Sequence, residues 1–457
     1  MINRRVSIAR EVALEVLNKV LLQDSFANLA LQQALRENLS AADRGLVTEI
    51  VYGTLKQRLA LDWHLQSFLS KPLKALPPQA QNILRIGAYQ LLYLDKVPAR
   101  AAINEAVNSA KSKGLNGLSG VINGVLRNLE RNKQTLKWPS KEAEPAKYLS
   151  VAYSHPLWMV ERWLKRWNFA AVEALCQANN EPAPTWLRTN TLRINRDDLA
   201  ARLRAAGVDA TCSSRVPEGI LISHFSAVEK LEPFQQGLCT VQDESSMLVA
   251  HVLGPEDGET IIDACSAPGG KTSHIAQLMQ DRGTIRAFEI HPHKLQLVEG
   301  LCRRLGIDCV TVRAGDATRL SELVSAPVDR VLVDAPCSGL GVLRRKPDAR
   351  WKKNPEIIEE LRVLQLPILA EAAKVVKPGG TLVYSTCTIE PEENFEVVKA
   401  FRRTHPEFQA VDLNPVLPFE LKRREDQRMA AKGYIQFLPH IHGMDGFFIA
   451  RMQRSGV

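Results

Sequence analysis

Apolar positions over residues 6–130 recur at helical spacing, and the pattern changes character twice further along. Val6, Ala9, Val12, Ala13 and Val16 follow a three- and four-residue rhythm, which Leu29, Leu31 and Leu35 repeat less regularly. The run Gly45–Leu59 continues it and Leu61–Leu69 adds a further apolar face. Pro72, Pro77 and Pro78 mark a turn before Ile83–Leu94, and Val121–Leu129 follows the glycine-bearing Lys113–Gly120. No strand signature interrupts this region, so it is predicted to be all-α. Polar Asn132–Lys147, with Pro139 and Pro145, is predicted to be a linker. A helix at Trp158–Ala178 and strand-like runs at Thr185–Arg193 and Gly219–Ile222 then predict a small α+β module.

After Leu238 short β-rich runs at Thr260–Cys265, Thr284–Ile290, Asp308–Arg313, Asp329–Asp334 and Thr381–Thr386 alternate with helical runs at Lys271–Gln280, His293–Leu305 and Pro355–Val376. That alternation predicts a parallel, doubly wound (Rossmann-like) α/β sheet. The expected domains are 1–140, 148–235 and 236–457.

Composition adds exclusions. Apolar residues make up 45% and charged residues 24% of 457, a globular mix too long for a single ordinary core. No uncharged apolar run approaches the roughly 18 residues of a membrane helix. Arg4 and Arg5 are followed by Arg10, Glu11 and Glu15, which interrupt any secretory core, so a soluble cytoplasmic protein is expected. Eight cysteines without a C-x-x-C pair argue against a zinc site or a disulfide framework, and no metal is expected. Residues 1–150 carry 21 basic against 12 acidic side chains, whereas the remainder carries 38 of each. A polyanionic partner for the helical part accounts for that asymmetry.

The first strand of the α/β region runs into Asp263-Ala264-Cys265-Ser266-Ala267-Pro268-Gly269-Gly270-Lys271-Thr272 and then a helix. A glycine turn there brings backbone close to a ligand at a helix N-terminus. Gly270-Lys271-Thr272 copies the end of a phosphate loop, and Val331–Asp334 copies its magnesium strand. Cys265, however, stands where the first glycine is required, and Pro268 removes an N–H from the cradle. A phosphate-free adenosyl ligand fits better. Glu289, 19 residues after Gly270, ends the second strand, where an acid binds ribose hydroxyls, and Asp316 after the third strand is expected near the adenine. S-adenosylmethionine is the expected cofactor, with Cys265, Ser266, Ala267, Pro268, Gly269, Gly270, Lys271, Glu289, Asp316 and Asp334 around it.

Two cysteines then set the reaction class. The fourth strand ends in Asp334-Ala335-Pro336-Cys337-Ser338-Gly339 and the fifth in Ser385-Thr386-Cys387-Thr388. Carbon 5 of a pyrimidine becomes nucleophilic only once a thiolate adds at carbon 6, and an acid near ring nitrogen 3 stabilises the resulting charge. A base must then remove the carbon-5 proton. Two thiols beside an acid match that need, whereas methylation of an amino group requires no nucleophilic cysteine.

Asp263–Lys271, Asp334–Gly339 and Ser385–Thr388 resemble the RNA cytosine-5 methyltransferases, specifically the bacterial ribosomal RNA type called Sun, Fmu or RsmB. Asp43–Leu61 and Asn123-Gly124-Val125-Leu126-Arg127 resemble the antitermination factor NusB. Trp186–Asn190, Val241–Ser246 and Asp445-Gly446-Phe447-Phe448 are similar to further signatures of the family. The resemblance implies a NusB-like RNA-binding domain and a catalytic domain acting on one cytosine of 16S ribosomal RNA. It also implies Cys387 as nucleophile, Cys337 in product release and Asp334 at the base. DNA cytosine-5 methyltransferases use instead a Pro-Cys cysteine, the position of Cys337. Glu289 stands where relatives often carry Asp, and Thr388 replaces Ser; both keep the needed functional group.

A cytosine inside a helix hides carbon 6, so the target is expected single-stranded or flipped. Arg344–Lys353 holds six basic residues in ten plus Trp351 and starts seven residues after Cys337, so it is expected to rim the cleft and grip phosphates. The expected substrate is naked 16S RNA or an early assembly intermediate, and the expected state a monomer without membrane or metal. Alternatives are another RNA such as transfer RNA, a non-catalytic NusB-like RNA-binding factor, a phosphate-loop ATPase and a DNA methyltransferase.

Overall fold

A computed structural model describes residues 7–35, 39–225 and 227–456; Arg4, Arg5 and Val6 lie outside the described residues. The chain divides into two compact units, Met1–Glu181 with Leu343–Lys353, and Pro182–Val342 with Asn354–Val457. No helix among the described residues is long and apolar enough to cross a membrane.

The described part of the first unit is helical throughout. Helices Ile8–Leu22, Ala27–Ala34, Pro78–Tyr93 and Ser119–Asn132 follow the apolar rhythm, burying Leu14, Leu17, Leu84 and Leu126. The run Gly45–Leu59 is not one helix. Gln57, at φ −107°, separates Ala41–Lys56 from Arg58–Gln66. Ser40 starts the first of these by accepting from the Asp43 N–H at 3.1 Å, a cap that stabilises by about 1 kcal/mol. Helix Ala99–Ser112 was not signalled by the pattern, because alanines 102, 106 and 110 supply most of its buried face. Within the predicted linker, Lys133–Thr135 forms a 3₁₀ turn and Pro145 opens helix Pro145–Ala152. The single helix expected at Trp158–Ala178 is two, Leu157–Leu164 and Phe169–Ala178, the second capped by Asn168 accepting from the Ala171 N–H at 3.0 Å.

The basic run Arg344–Lys353 departs from expectation. From Leu343 it belongs to the helical unit, where several of its side chains are already engaged. Arg350 is fully buried and donates to the Ser154 carbonyl and Asn180 Oδ1, each at 2.9 Å. Trp351 Nε1 donates to the Leu55 carbonyl at 2.9 Å, and Lys352 Nζ to the Asp24 and Ser25 carbonyls at 2.7 Å. These residues brace the helices instead of offering cations to phosphate.

In the second unit β1 (Thr185–Thr189), β2 (Asp209–Cys212), β3 (Gly219–Ser223) and β4 (Cys239–Val241) form an antiparallel sheet in the order β2-β3-β1-β4. The second sheet holds β5 (Thr260–Asp263), β6 (Thr284–Glu289), β7 (Val310–Ala314), β8 (Val328–Asp334), β9 (Val376–Thr386), β10 (Phe408–Ala410), β11 (Tyr434–Phe437) and β12 (Phe447–Arg454). Its order is β10-β12-β9-β8-β5-β6-β7, with β11 paired to β12. Strands β5 to β9 are parallel as expected, with Val331, Leu332 and Val333 of β8 all buried, as a strand covered on both faces requires. The C-terminal strands run antiparallel, which corrects the expected parallel sheet to a mixed one. The chain builds outward from β5 to β7, then resumes at β8 on the other side of β5. That reversal opens a crevice at the carboxyl ends of β5 and β8.

Candidate active site

The crevice is floored by the glycine loop. Gly269 has φ +103°, and a Cβ there would come within 3.1 Å of the Val298 Cα, so both backbone and space demand glycine. The Ser266 N–H donates to the Phe288 carbonyl at 2.9 Å and the Gly269 N–H to the Ser266 carbonyl at 2.7 Å, which closes the turn. Helix Gly270–Leu278 follows. Asp263, at the end of β5, is buried and accepts from Thr272 Oγ1 at 2.7 Å; burial pushes its carboxyl up to about 7. Arg188 of β1 is also buried. It donates to the Gly270 carbonyl at 2.5 Å, to Ser273 Oγ at 2.8 Å and to the Gln242 side chain. The signatures Trp186–Asn190 and Val241–Ser246 thus meet at the first turn of this helix, and Arg188 and Gln242 hold it in place.

Beyond the loop lies a cavity of about 290 Å³, lined by Cys265, Ala267, Glu289, Asp316, Asp334, Cys337 and Cys387 among the expected residues. Ser266, Pro268, Gly269 and Gly270 shape the loop without lining it, and Lys271 reaches Asp334. Glu289 accepts from the His291 N–H at 3.0 Å, and Asp316 Oδ1 from Thr318 N and Oγ1 at 2.9 and 2.7 Å. Ile290, Leu364 and Ile368 also line the walls and were missed, because an apolar wall drawn from separate elements leaves no motif. The donor set suits an adenosyl group. Carboxylates at the ends of β6 and β7 accept from hydroxyls, apolar side chains flank a flat ring, and the proline in the loop offers no N–H to a phosphate.

At the other end of the cavity Asp334 is held from both sides. Lys271 Nζ lies 2.6 Å from Oδ2, and Ser385 Oγ donates to Oδ1 at 2.8 Å. Cys337 and Cys387, after β8 and β9, bring their sulfurs to 3.3 Å. The bond to Cys387, reinforced by burial, holds the Cys337 thiol well above the ordinary range. The Gly341 N–H donates to the Cys387 carbonyl at 3.0 Å and the Gly446 N–H to the Gly341 carbonyl at 2.8 Å. A Cβ on Gly341 would overlap the Gly446 oxygen at 2.0 Å, so Asp445-Gly446-Phe447-Phe448 is a place where two backbones touch behind the thiols.

Residues 250–453 match the family model described as 16S rRNA methyltransferase RsmB/F. Residues 7–131 match the NusB family, and 155–229 the RsmF/B-like ferredoxin-like domain. The probable ribosomal RNA small subunit methyltransferase B of Bacillus subtilis (strain 168) is 41% identical, covering 98% of this chain and 99% of that protein. The chain belongs to the ribosomal RNA small subunit methyltransferase B family. The Synechocystis relative of the same description is 38% identical over 98% of this chain. The crystal structure of PH0851 superposes with a TM-score of 0.82 at 27% identity, covering 99% of this chain and 100% of that one. The family consists of S-adenosylmethionine-dependent enzymes that methylate carbon 5 of cytosine in ribosomal RNA, and this chain is such an enzyme. Membership also sets aside the phosphate-loop ATPase and the non-catalytic RNA-binding factor.

Proposed function

We propose that the enzyme methylates its cytosine through a covalent adduct on Cys387. The single observation that carries this reading is the pair of sulfurs 3.3 Å apart in a cavity shared with Glu289, Asp316 and Asp334. Cys387 Sγ bonds to carbon 6, and the ring electrons shift toward nitrogen 3, where the Lys271 ammonium, anchored by Asp334 beside the base, balances the charge. Bound S-adenosylmethionine supplies the methyl on its sulfonium; Glu289 and Asp316 hold its hydroxyls and base. When a base takes the carbon-5 proton, its bonding pair restores the 5,6 double bond, and the C6–S pair leaves with Cys387. The protonated Cys337, hydrogen-bonded to that sulfur, stabilises the departing thiolate.

The substrate is 16S ribosomal RNA, naked or in an early assembly intermediate, and the enzyme acts as a cytoplasmic monomer that needs no metal. Residues 1–140 form the RNA-binding domain, 148–235 the connecting module and 236–457 the catalytic domain. Labelled S-adenosylmethionine with unmodified 16S RNA, followed by nucleoside analysis, tests this. Label in 5-methylcytosine, absent with Cys387→Ala, is expected. Full activity of a folded Cys387→Ala protein overturns the adduct on that residue, and label in transfer RNA alone overturns the substrate.

A further inference from the structure

One buried carboxylate ties the two thiol loops together. Glu393, fully buried beyond the end of β9, accepts from the Ser338 N–H at 2.7 Å and from the Ser338 hydroxyl. It also accepts from Thr388 Oγ1 at 3.1 Å and Gln365 Nε2 at 3.2 Å. Ser338 directly follows Cys337, and Thr388 directly follows Cys387. Gln365 also donates to the carbonyl of Pro336, the residue before Cys337, at 2.9 Å. The next residue, Asn394, donates to the Thr388 carbonyl at 3.0 Å, and Tyr384 of β9 holds the Glu393 carbonyl at 2.6 Å. Every group around the carboxylate is a donor, which matches an acceptor-only side chain. Burial pushes its pKa up, so it is kept in this apolar setting only by those donors.

We infer that Glu393 is a positioning residue that sets the separation and alignment of the Cys337 and Cys387 sulfurs, an inference that rests on the two-thiol reading above. It touches neither sulfur. It acts through the residues that follow them, where a shift of about 1 Å in a reacting group costs about 10²-fold in rate. In Glu393→Gln one oxygen remains for the Ser338 N–H and Gln365, while the Ser338 and Thr388 hydroxyls lose the carboxylate oxygen they donate to, which loosens both loops. Glu393→Ala leaves the Ser338 N–H without its acceptor and reduces the link between the two loops to the 2.8 Å contact of the Ser338 and Thr388 hydroxyls.

Sulfur–sulfur proximity can be measured without turnover by oxidation with diamide. Two thiols lose two protons and two electrons, one S–S bond forms, and diamide becomes the hydrazine. Wild type, Glu393→Gln, Glu393→Ala and the Cys387→Ala control are compared for disulfide closure, cofactor binding and methyl transfer. Glu393→Gln is expected to bind S-adenosylmethionine like wild type, close the disulfide about 10-fold more slowly and lose about 10-fold in kcat with KM for RNA unchanged. Glu393→Ala is expected to lose about 100-fold in kcat. If Glu393→Ala fails to fold, Glu393→Gln decides. Wild-type closure and turnover in Glu393→Gln overturn the inference. Slowed closure in a protein whose wild type makes no 5-methylcytosine upholds the positioning role and removes the catalytic reading instead.

Discussion

At 3.3 Å one thiol can donate to the other sulfur, and that contact together with burial raises the Cys337 thiol. The two cysteines are expected to play different parts. Cys337→Ala is expected to form the adduct but release it slowly, leaving an RNA–protein band on denaturing gels. Cys387→Ala is expected to give no band and a loss of at least about 10³-fold in methyl transfer. Asp334→Asn removes the charge paired with Lys271; kcat is expected to fall by about 10²-fold, with cofactor affinity reduced far less, read from kcat beside equilibrium binding. The thiols and the strand-end acids were legible in the sequence because each sits at a predictable chain position, the carboxyl end of a strand. Glu393 was not. Its meaning comes from Ser338, Gln365 and Thr388, which are distant in sequence or on different elements, and a carboxylate after a strand has no signature until those donors converge.

Elements that bury continuous apolar runs were readable. Strands β5, β6 and β8 sit within a residue or two of the predicted limits, because their apolar runs are largely buried, whereas β9 begins five residues before the predicted Thr381 with the exposed Lys377, Pro378 and Gly379. Strands β2, β4 and β10 have three or four residues each, too few for a period to emerge, so the small sheet was half seen; the antiparallel edge was unseen even though its β12 has eight residues, because Phe447–Ala450 are buried in succession and show no alternation. The helix after the glycine loop depends on a side chain from another sheet. Arg188 is buried with its charge directed to Gly270, Ser273 and Gln242, and burial lowers its pKa to about 9. Arg188→Ala strands those acceptors and should cost about 2–4 kcal/mol in urea unfolding and raise the cofactor dissociation constant. His274 on the same helix is buried 2.6 Å from Glu218, and burial, only partly offset by that carboxylate, lowers it to about 4. Its neutral form belongs to the folded state, so the unfolded chain binds the extra proton. Stability is therefore expected to fall as pH drops from about 6.5 to about 4, by about 2–3 kcal/mol, and the slope should flatten in His274→Gln. Melting temperature against pH measures both.

For the whole molecule, charge and topology pull the two units into different work. The excess of positive charge lies in residues 1–150, away from the catalytic sequence, so RNA affinity and chemistry should respond to different variables. Replacing the exposed Lys71, Lys74 and Lys133 by Gln is expected to reduce the salt dependence of RNA binding, by about 0.7 in log–log slope per lost phosphate contact, with kcat at saturating RNA unchanged. An unchanged slope would take those lysines out of the RNA footprint.

The excursion Leu343–Lys353 leaves the catalytic unit and is built into the helical one, so the peptide chain passes between them three times. Trimming at the linker therefore does not yield two clean modules. A catalytic half expressed alone would carry a tongue whose Arg350 guanidinium and Trp351 indole have lost the helices they were folded into, a sticky projection prone to self-association. A cut at the linker leaves Leu343–Lys353, a piece of the helical unit, attached to the other one, so any separation has to redesign that internal stretch as well.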